Sequence, residues 1–128
     1  VMGWNTYHQI MTELSPEAWV YEGLTSYIVT HRSVPPAPGR VFTAQNPCQL
    51  VRELRRYPGK RIWVCGGAGL SRQLMEADLI DVYDISLIPV LLGGGIRLFE
   101  PFGRRISLRL ERTMAGNGIT ELVYTRRA

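Results

Sequence analysis

Ile62-Trp63-Val64-Cys65-Gly66-Gly67-Ala68-Gly69-Leu70 is an apolar run that stops at two glycines and passes at once into a helical pattern, Ser71 to Ala77. It reads as a buried strand feeding a tight turn into a helix N-terminus. The first turn of a helix carries unpaired N–H groups and a partial positive charge, so this geometry can cradle an anion. Glycine removes the Cβ that would keep a phosphate away from the backbone. A nucleotide-type ligand is the first expectation from this stretch. A tight strand-to-helix turn without a ligand is the alternative.

Outward from the turn, the chain has the size and composition of one globular domain. Its 128 residues are enough for a real core, with 45% apolar and 20% charged residues. No apolar run reaches membrane-spanning length, and no basic, apolar, small-residue signal peptide opens the chain. Cys48 and Cys65 are far apart and form no CxxC, so neither zinc nor a disulfide framework is suggested. A reducing cytoplasm fits this usage, with Cys65 read as a small core residue. The net charge is +4, and Lys60 is the only lysine. The arginines are scattered and no basic stripe interleaved with aromatics appears, so nucleic acid is not an expected partner.

Val1-Met2 reads as the tail of a strand. Gly3-Trp4-Asn5-Thr6 leads into a helix through Leu14, with Tyr7, Ile10, Met11 and Leu14 on one face. Ser15-Pro16 ends it. Tyr27 to Thr30 is β-rich, Ser33 to Gly39 is a proline-rich loop, and Val41-Phe42-Thr43 is a short strand. Asn46-Pro47 is an N-cap with proline at the first helical position, and that helix runs to about Tyr57 before Pro58-Gly59. After the central turn, Val82 to Leu92 reads as one long buried strand. Gly93-Gly94-Gly95 breaks it, as a hinge or bulge rather than a ligand loop. Ile106 to Thr113 and Ile119 to Thr125 flank Gly116-Asn117-Gly118 as a terminal hairpin. The expected fold is three-layer α/β: a mixed, mainly parallel central sheet flanked by helices, with a C-terminal antiparallel hairpin.

Three strand-to-loop junctions follow the parallel strands: Gly3 to Thr6, Thr30 to Arg32, and Gly66 to Ser71. Open α/β sheets bind ligands beyond the carboxyl ends of their strands. Two junctions feed helix N-termini, and Thr30, His31 and Arg32 offer a hydroxyl, an imidazole and a guanidinium. His31 reads equally as an ordinary loop histidine. A dinucleotide fingerprint is weak, because Arg72 stands where the third glycine belongs, and no P-loop lysine follows the glycines. His8 reads as solvated. Glu76, Asp78, Asp81 and Asp84 read as a wet helix end and strand edge rather than a metal site.

Val1-Met2-Gly3-Trp4-Asn5-Thr6-Tyr7 resembles the "VMGRxTY" segment of the dihydrofolate reductase-like superfamily. Trp63 to Leu70 resembles its Gly-Gly segment. Asp78-Leu79-Ile80-Asp81, Ser86 to Gly93 and Leu98-Phe99 are most similar to the riboflavin-biosynthesis reductase branch, the RibD C-terminal-type domain. The resemblance spans essentially the whole chain. It implies an NADPH-dependent reductase that passes a hydride to a C=N or C=O bond of a small heterocycle, of pteridine or ribosylamino-pyrimidine type. It places Gly3, Trp4, Asn5 and Thr6 along the nucleotide and Thr30, His31 and Arg32 at the adenosine 2′-phosphate. It wraps Gly66, Gly67, Ala68, Gly69, Leu70 and Ser71 round the pyrophosphate, with a cis peptide between Gly66 and Gly67. Ser86 falls on the strand that looks into the substrate cleft, where a plain buried strand serine is the alternative.

The departures from the family pattern also matter. Trp4 stands where the family carries an arginine, and Arg32 is expected to take over its phosphate contact. The family's first strand has no counterpart from Val1 onward, so residues 1–128 are expected to form a single domain lacking that strand, with an omitted upstream segment favoured. The resemblance further implies a homodimer, which Val82 to Leu92 and the hairpin would support. No metal is expected, and the catalytic groups stay unassigned. A nucleotide-binding or assembly protein of the same fold with a lost active site is the alternative function.

Overall fold

The computed structural model describes residues 1–101 and 103–127. Phe102 and Ala128, the last residue of the expected domain, lie outside them. The architecture starts at two residues whose side chains point opposite ways. Strand β1 (Met2–Gly3) pairs in parallel with β2 (Ser26–Val29), Met2 facing Ile28 in register, and β2 pairs in parallel with β3 (Arg40–Thr43). On the other side of β1 runs the glycine-turn segment, where the expected buried strand is corrected: it meets β1 through an isolated bridge at Gly66 rather than as a strand, and Ile62 and Trp63 are exposed. Cys65 N–H donates to the Val1 carbonyl at 2.9 Å, Gly3 N–H donates to the Gly66 carbonyl at 2.8 Å, and Met2 and Gly66 form a parallel bridge.

Strand side chains alternate between faces, so the parallel sheet has two cores. Val1 packs with Leu50 and Val51 of α2 (Pro47–Leu54) and with Leu70 and Leu74 of α3 (Ala68–Glu76). Met2 and Ile28 pack on the opposite face with Tyr7 of α1 (Trp4–Gln9) and Ile10 of the π-helical turn Ile10–Leu14. Met2, Ile28 and Leu74 are fully buried, each contributing roughly 1.5–3 kcal/mol of transfer free energy. Helices on both faces of a parallel sheet are the expected three layers.

The helix starts follow from their caps. The Asn46 side chain accepts from Cys48 N–H at 2.9 Å and Gln49 N–H at 3.3 Å, and Pro47 takes the first helical position, where its missing N–H costs nothing. This helix ends at Leu54 rather than Tyr57. The first helix also departs from expectation. Its α-helical part closes at Gln9 and the remainder to Leu14 is one π-helical turn, which leaves Leu14 exposed.

The antiparallel part is a second sheet. Strands β4 (Val82–Leu87), β5 (Leu108–Gly116) and β6 (Ile119–Arg126) lie in the order β4-β6-β5. Asn117 and Gly118 have φ of +53° and +79°, the two-residue hairpin geometry that Asn-Gly favours. The mixed sheet is thus realised as a parallel and an antiparallel sheet of three strands each. The expected long buried strand to Leu92 is corrected: β4 ends at Leu87. Pro89 has no N–H to give a ladder, and Leu91, Leu92 and Ile96 are 100%, 82% and 92% exposed. An apolar run looks alike whether it is buried or waiting for a partner surface.

Candidate functional site

Parallel pairing brings the carboxyl ends of β1, β2 and the 62–66 segment to one edge. There the three junctions expected from the sequence meet. The turn at Gly66-Gly67 has a cis peptide bond, and Gly67 caps α3 with no side-chain hydrogen bond. Ser71 N–H donates to the Gly67 carbonyl at 3.0 Å. The N–H groups of Ala68, Gly69 and Leu70 therefore precede the first helical donor and have no partner within the helix. They point a partial positive charge out of the edge.

The first junction touches the third through Thr6. A Cβ built on Gly67 would lie 3.6 Å from the Thr6 hydroxyl oxygen, and one on Gly66 would lie 3.9 Å from it. Gly3 faces the same turn: its built Cβ would lie 3.8 Å from the Gly67 nitrogen. The hydroxyl and three glycine backbones thus surround one small space. Asn5 is exposed beside them.

The second junction touches the first through an aromatic ring. The Arg32 guanidinium carbon lies over the Trp4 ring, 5.0 Å from its centroid, a cation–π contact of about 0.5–1 kcal/mol at an exposed site. Thr30 is buried, and its hydroxyl accepts from Arg32 N–H at 3.1 Å, which folds the chain back at the strand end. Among the described residues no carboxylate pairs with Arg32. His31 is exposed at the same corner.

Two members of the expected set sit differently. The Leu70 side chain is buried against Val1 and Leu74, so only its backbone N–H can serve a ligand. Ser86 lies on β4, opposite Glu121, on the exposed side of a strand whose alternate residue Tyr83 is buried.

Other features of this region were not read from the sequence. Thr43 ends β3 at the same edge, its hydroxyl accepting from Gln45 N–H at 3.1 Å and its carbonyl from Thr30 N–H at 2.8 Å. The short strand before the Asn46-Pro47 cap was its signal. Trp4, Tyr7, Trp19, Tyr21 and Trp63 form a chain of ring contacts of 5.3–5.6 Å, for which no periodicity existed to be found. Burial raises the Cys65 thiol above its ordinary pKa beside this chain, so it is a neutral thiol rather than a nucleophile.

The edge can do one thing well. It offers backbone N–H groups at a helix start, hydroxyls, and a guanidinium fork, set round glycines that leave room for close approach. That donor set suits phosphate oxygens.

Comparison with known proteins bears on the family and the fold. The family described as RibD C-terminal domain matches residues 6–120. YwjB, an uncharacterised protein of Bacillus subtilis strain 168, is 32% identical over 98% of this chain and 72% of its own length. YyaP of the same organism, also uncharacterised, is 35% identical over 66% of this chain and 45% of its own length. A crystal structure from Shewanella sp. PV-4, named for riboflavin biosynthesis, superposes with a TM-score of 0.79 at 21% identity, over 99% of this chain and 72% of that one. A pyrimidine reductase-like protein of Corynebacterium diphtheriae gives a TM-score of 0.57 at 17% identity, over 80% of this chain and 50% of that one. At these identities the two structures speak for the fold alone. With nearly its whole length matched, the chain belongs to the RibD C-terminal domain family.

Proposed function

We propose that this protein is an NADPH-dependent reductase acting on a small heterocycle of pteridine or ribosylamino-pyrimidine type. The observation that carries the reading is the meeting of two strand ends and the glycine turn at one edge, joined by Thr6 against that turn and Arg32 over Trp4. The residues present fit the cofactor. The glycine turn beside the Thr6 hydroxyl, with the N–H groups of Ala68, Gly69 and Leu70, suits the pyrophosphate. Gly3, Asn5, Thr6 and Ser71 would line the nucleotide. Thr30, His31 and Arg32 would receive the 2′-phosphate. When bound, NADPH supplies a hydride for a C=N or C=O bond. The chain's own part is to bind and orient: the glycine turn admits the backbone to close contact, and α3 counters the phosphate charge. Ser86, exposed on β4, is the group we assign to the substrate side. The exposed apolar segment after β4 is the surface we assign to a homodimer.

Cofactor preference tests this reading. NADPH and NADH differ by the 2′-phosphate alone, and a charge-assisted hydrogen bond contributes on the order of 1.5–3 kcal/mol. NADPH should therefore bind at least about tenfold tighter than NADH. The preference should fall toward parity in Arg32→Ala and weaken as salt rises. Calorimetric titration of both cofactors against both proteins measures it. Equal wild-type affinities, or no binding of either cofactor, would overturn the proposal. Nicotinamide absorbance in the presence of pteridines and ribosylamino-pyrimidines then tests turnover. Tight binding without turnover across that panel would favour the nucleotide-binding protein without catalysis.

A further inference from the structure

We infer that Trp4 is a positioning residue that sets cofactor preference by holding Arg32. The inference rests on the NADPH reading of the site. Two facts meet at this corner. Position 4 carries an indole, and the guanidinium beside it is that of Arg32, so the charge this corner offers a 2′-phosphate comes from Arg32. Arg32 is an exposed side chain beyond a strand end, free to spread over many rotamers. What restrains it is the Trp4 ring, 5.0 Å from the guanidinium carbon.

The indole suits this task for two reasons. First, it is itself held. Trp4 is half-buried, packs on the cluster of Met2, Tyr7, Ile10 and Ile28, and contacts the Tyr7 ring at 5.6 Å and the His8 ring at 5.7 Å. Second, a ring attracts a guanidinium through its face and accepts none of its hydrogen bonds in the plane. A carboxylate in the same place would restrain Arg32 equally well, but would occupy the N–H fork and cancel its charge. Among the described residues no side chain accepts a hydrogen bond from the Arg32 guanidinium. The backbone is set as well, by Arg32 N–H donating to the Thr30 hydroxyl at 3.1 Å. Arg32 is thus anchored at its backbone and its tip while the fork stays available to a phosphate. The immobilisation cost of the side chain is met before ligand arrives.

The test is the ratio of NADPH to NADH affinity, because a merely structural role would weaken both cofactors alike. Calorimetry is run on wild type, Trp4→Leu, Trp4→Phe, Arg32→Ala and the Trp4→Leu/Arg32→Ala double variant, with thermal melts to confirm folding. Trp4→Leu should lower the ratio about two- to fivefold through NADPH alone. Trp4→Phe, which keeps a ring face, should retain most of the preference. In the Arg32→Ala background Trp4→Leu should change nothing further. Parallel losses for both cofactors would overturn the inference and make the indole a general nucleotide contact or a fold element. A ratio unchanged in Trp4→Leu, or one that still falls without Arg32, would overturn it too. These outcomes differ from failure of the underlying reading, which would show as wild type binding neither cofactor or both equally.

Discussion

At Gly66 the backbone has φ of +115°, whereas at neighbouring Gly67 φ is −80°. The two glycines therefore answer different needs. Any L side chain at Gly66 meets a conformation that costs on the order of 1–3 kcal/mol. At Gly67 a Cβ is sterically acceptable, since its nearest contact, the Thr6 hydroxyl, is at an ordinary 3.6 Å. The pair predicts a split in phenotype. Gly66→Ala should lower the melting temperature. Gly67→Val should fold, yet lose NADPH affinity by at least about tenfold, because its branched side chain fills the approach to the helix start. Melting curves and calorimetric titrations of both variants check this. Unchanged affinity in Gly67→Val would remove the pyrophosphate from this turn.

The end of α3 is tied down as firmly as its start is left open. Asp78 follows the helix with φ of +55°, and Arg104 donates to its carboxylate at 2.8 Å and to the Met75 and Glu76 carbonyls at 3.0 Å each. A cation on the last carbonyls also suits the helix dipole. Arg126 of β6 reaches Asp81 at 2.9 Å, and Arg55 at the end of α2 reaches the same carboxylate at 3.3 Å. These pairs join both helices on one face to the antiparallel sheet. The hydrogen bond from Arg104 holds the Asp78 carboxyl below its ordinary value of 3.8. A carboxyl with a lowered folded-state pKa stabilises the fold above its unfolded pKa, and that gain is lost as pH falls through the folded value. Asn tolerates positive φ, so Asp78→Asn isolates the charge. The variant should melt below wild type at neutral pH, and the gap should close as pH drops below the ordinary aspartate range. Melts across that range decide it; a gap that persists in acid would assign the loss to shape rather than charge.

For the molecule as a whole, the stretch after β4 stands out. Leu87, Ile88, Val90, Leu91, Leu92 and Ile96 are all more than half exposed, and the hairpin tip reaches them where Gly118 approaches Pro89. Large exposed apolar patches mark interaction sites. A second copy of the chain is the occupant we propose. Light scattering at micromolar concentration should give a dimer. Leu91→Glu/Leu92→Glu should give a folded monomer, because two charges would have to be desolvated in the interface. A monomeric wild type would refute the assignment.

What the sequence determined was local. The Gly66-Gly67 turn into α3, the Asn46-Pro47 cap and the Asn117-Gly118 hairpin depend on neighbours in the chain, where φ preferences and capping hydrogen bonds act. The alternation of Val1 and Met2 between two cores follows equally from the two-residue period of a strand. Three candidate junctions could be named because each follows a β-rich stretch with the right chemistry, and the family resemblance supplied the roles proposed for them. Only tertiary structure decided the rest. Whether the run from Val82 to Leu92 stays in a sheet depends on a ladder partner, and apolar composition cannot report one. Whether Leu70 turns its side chain to a ligand or to the core depends on Val1 and Leu74 packing against it. The Thr6 contact with the glycine turn, and Arg32 lying over Trp4, join residues from different strand ends. Parallel pairing sets those distances, and short-range propensity has no term for them.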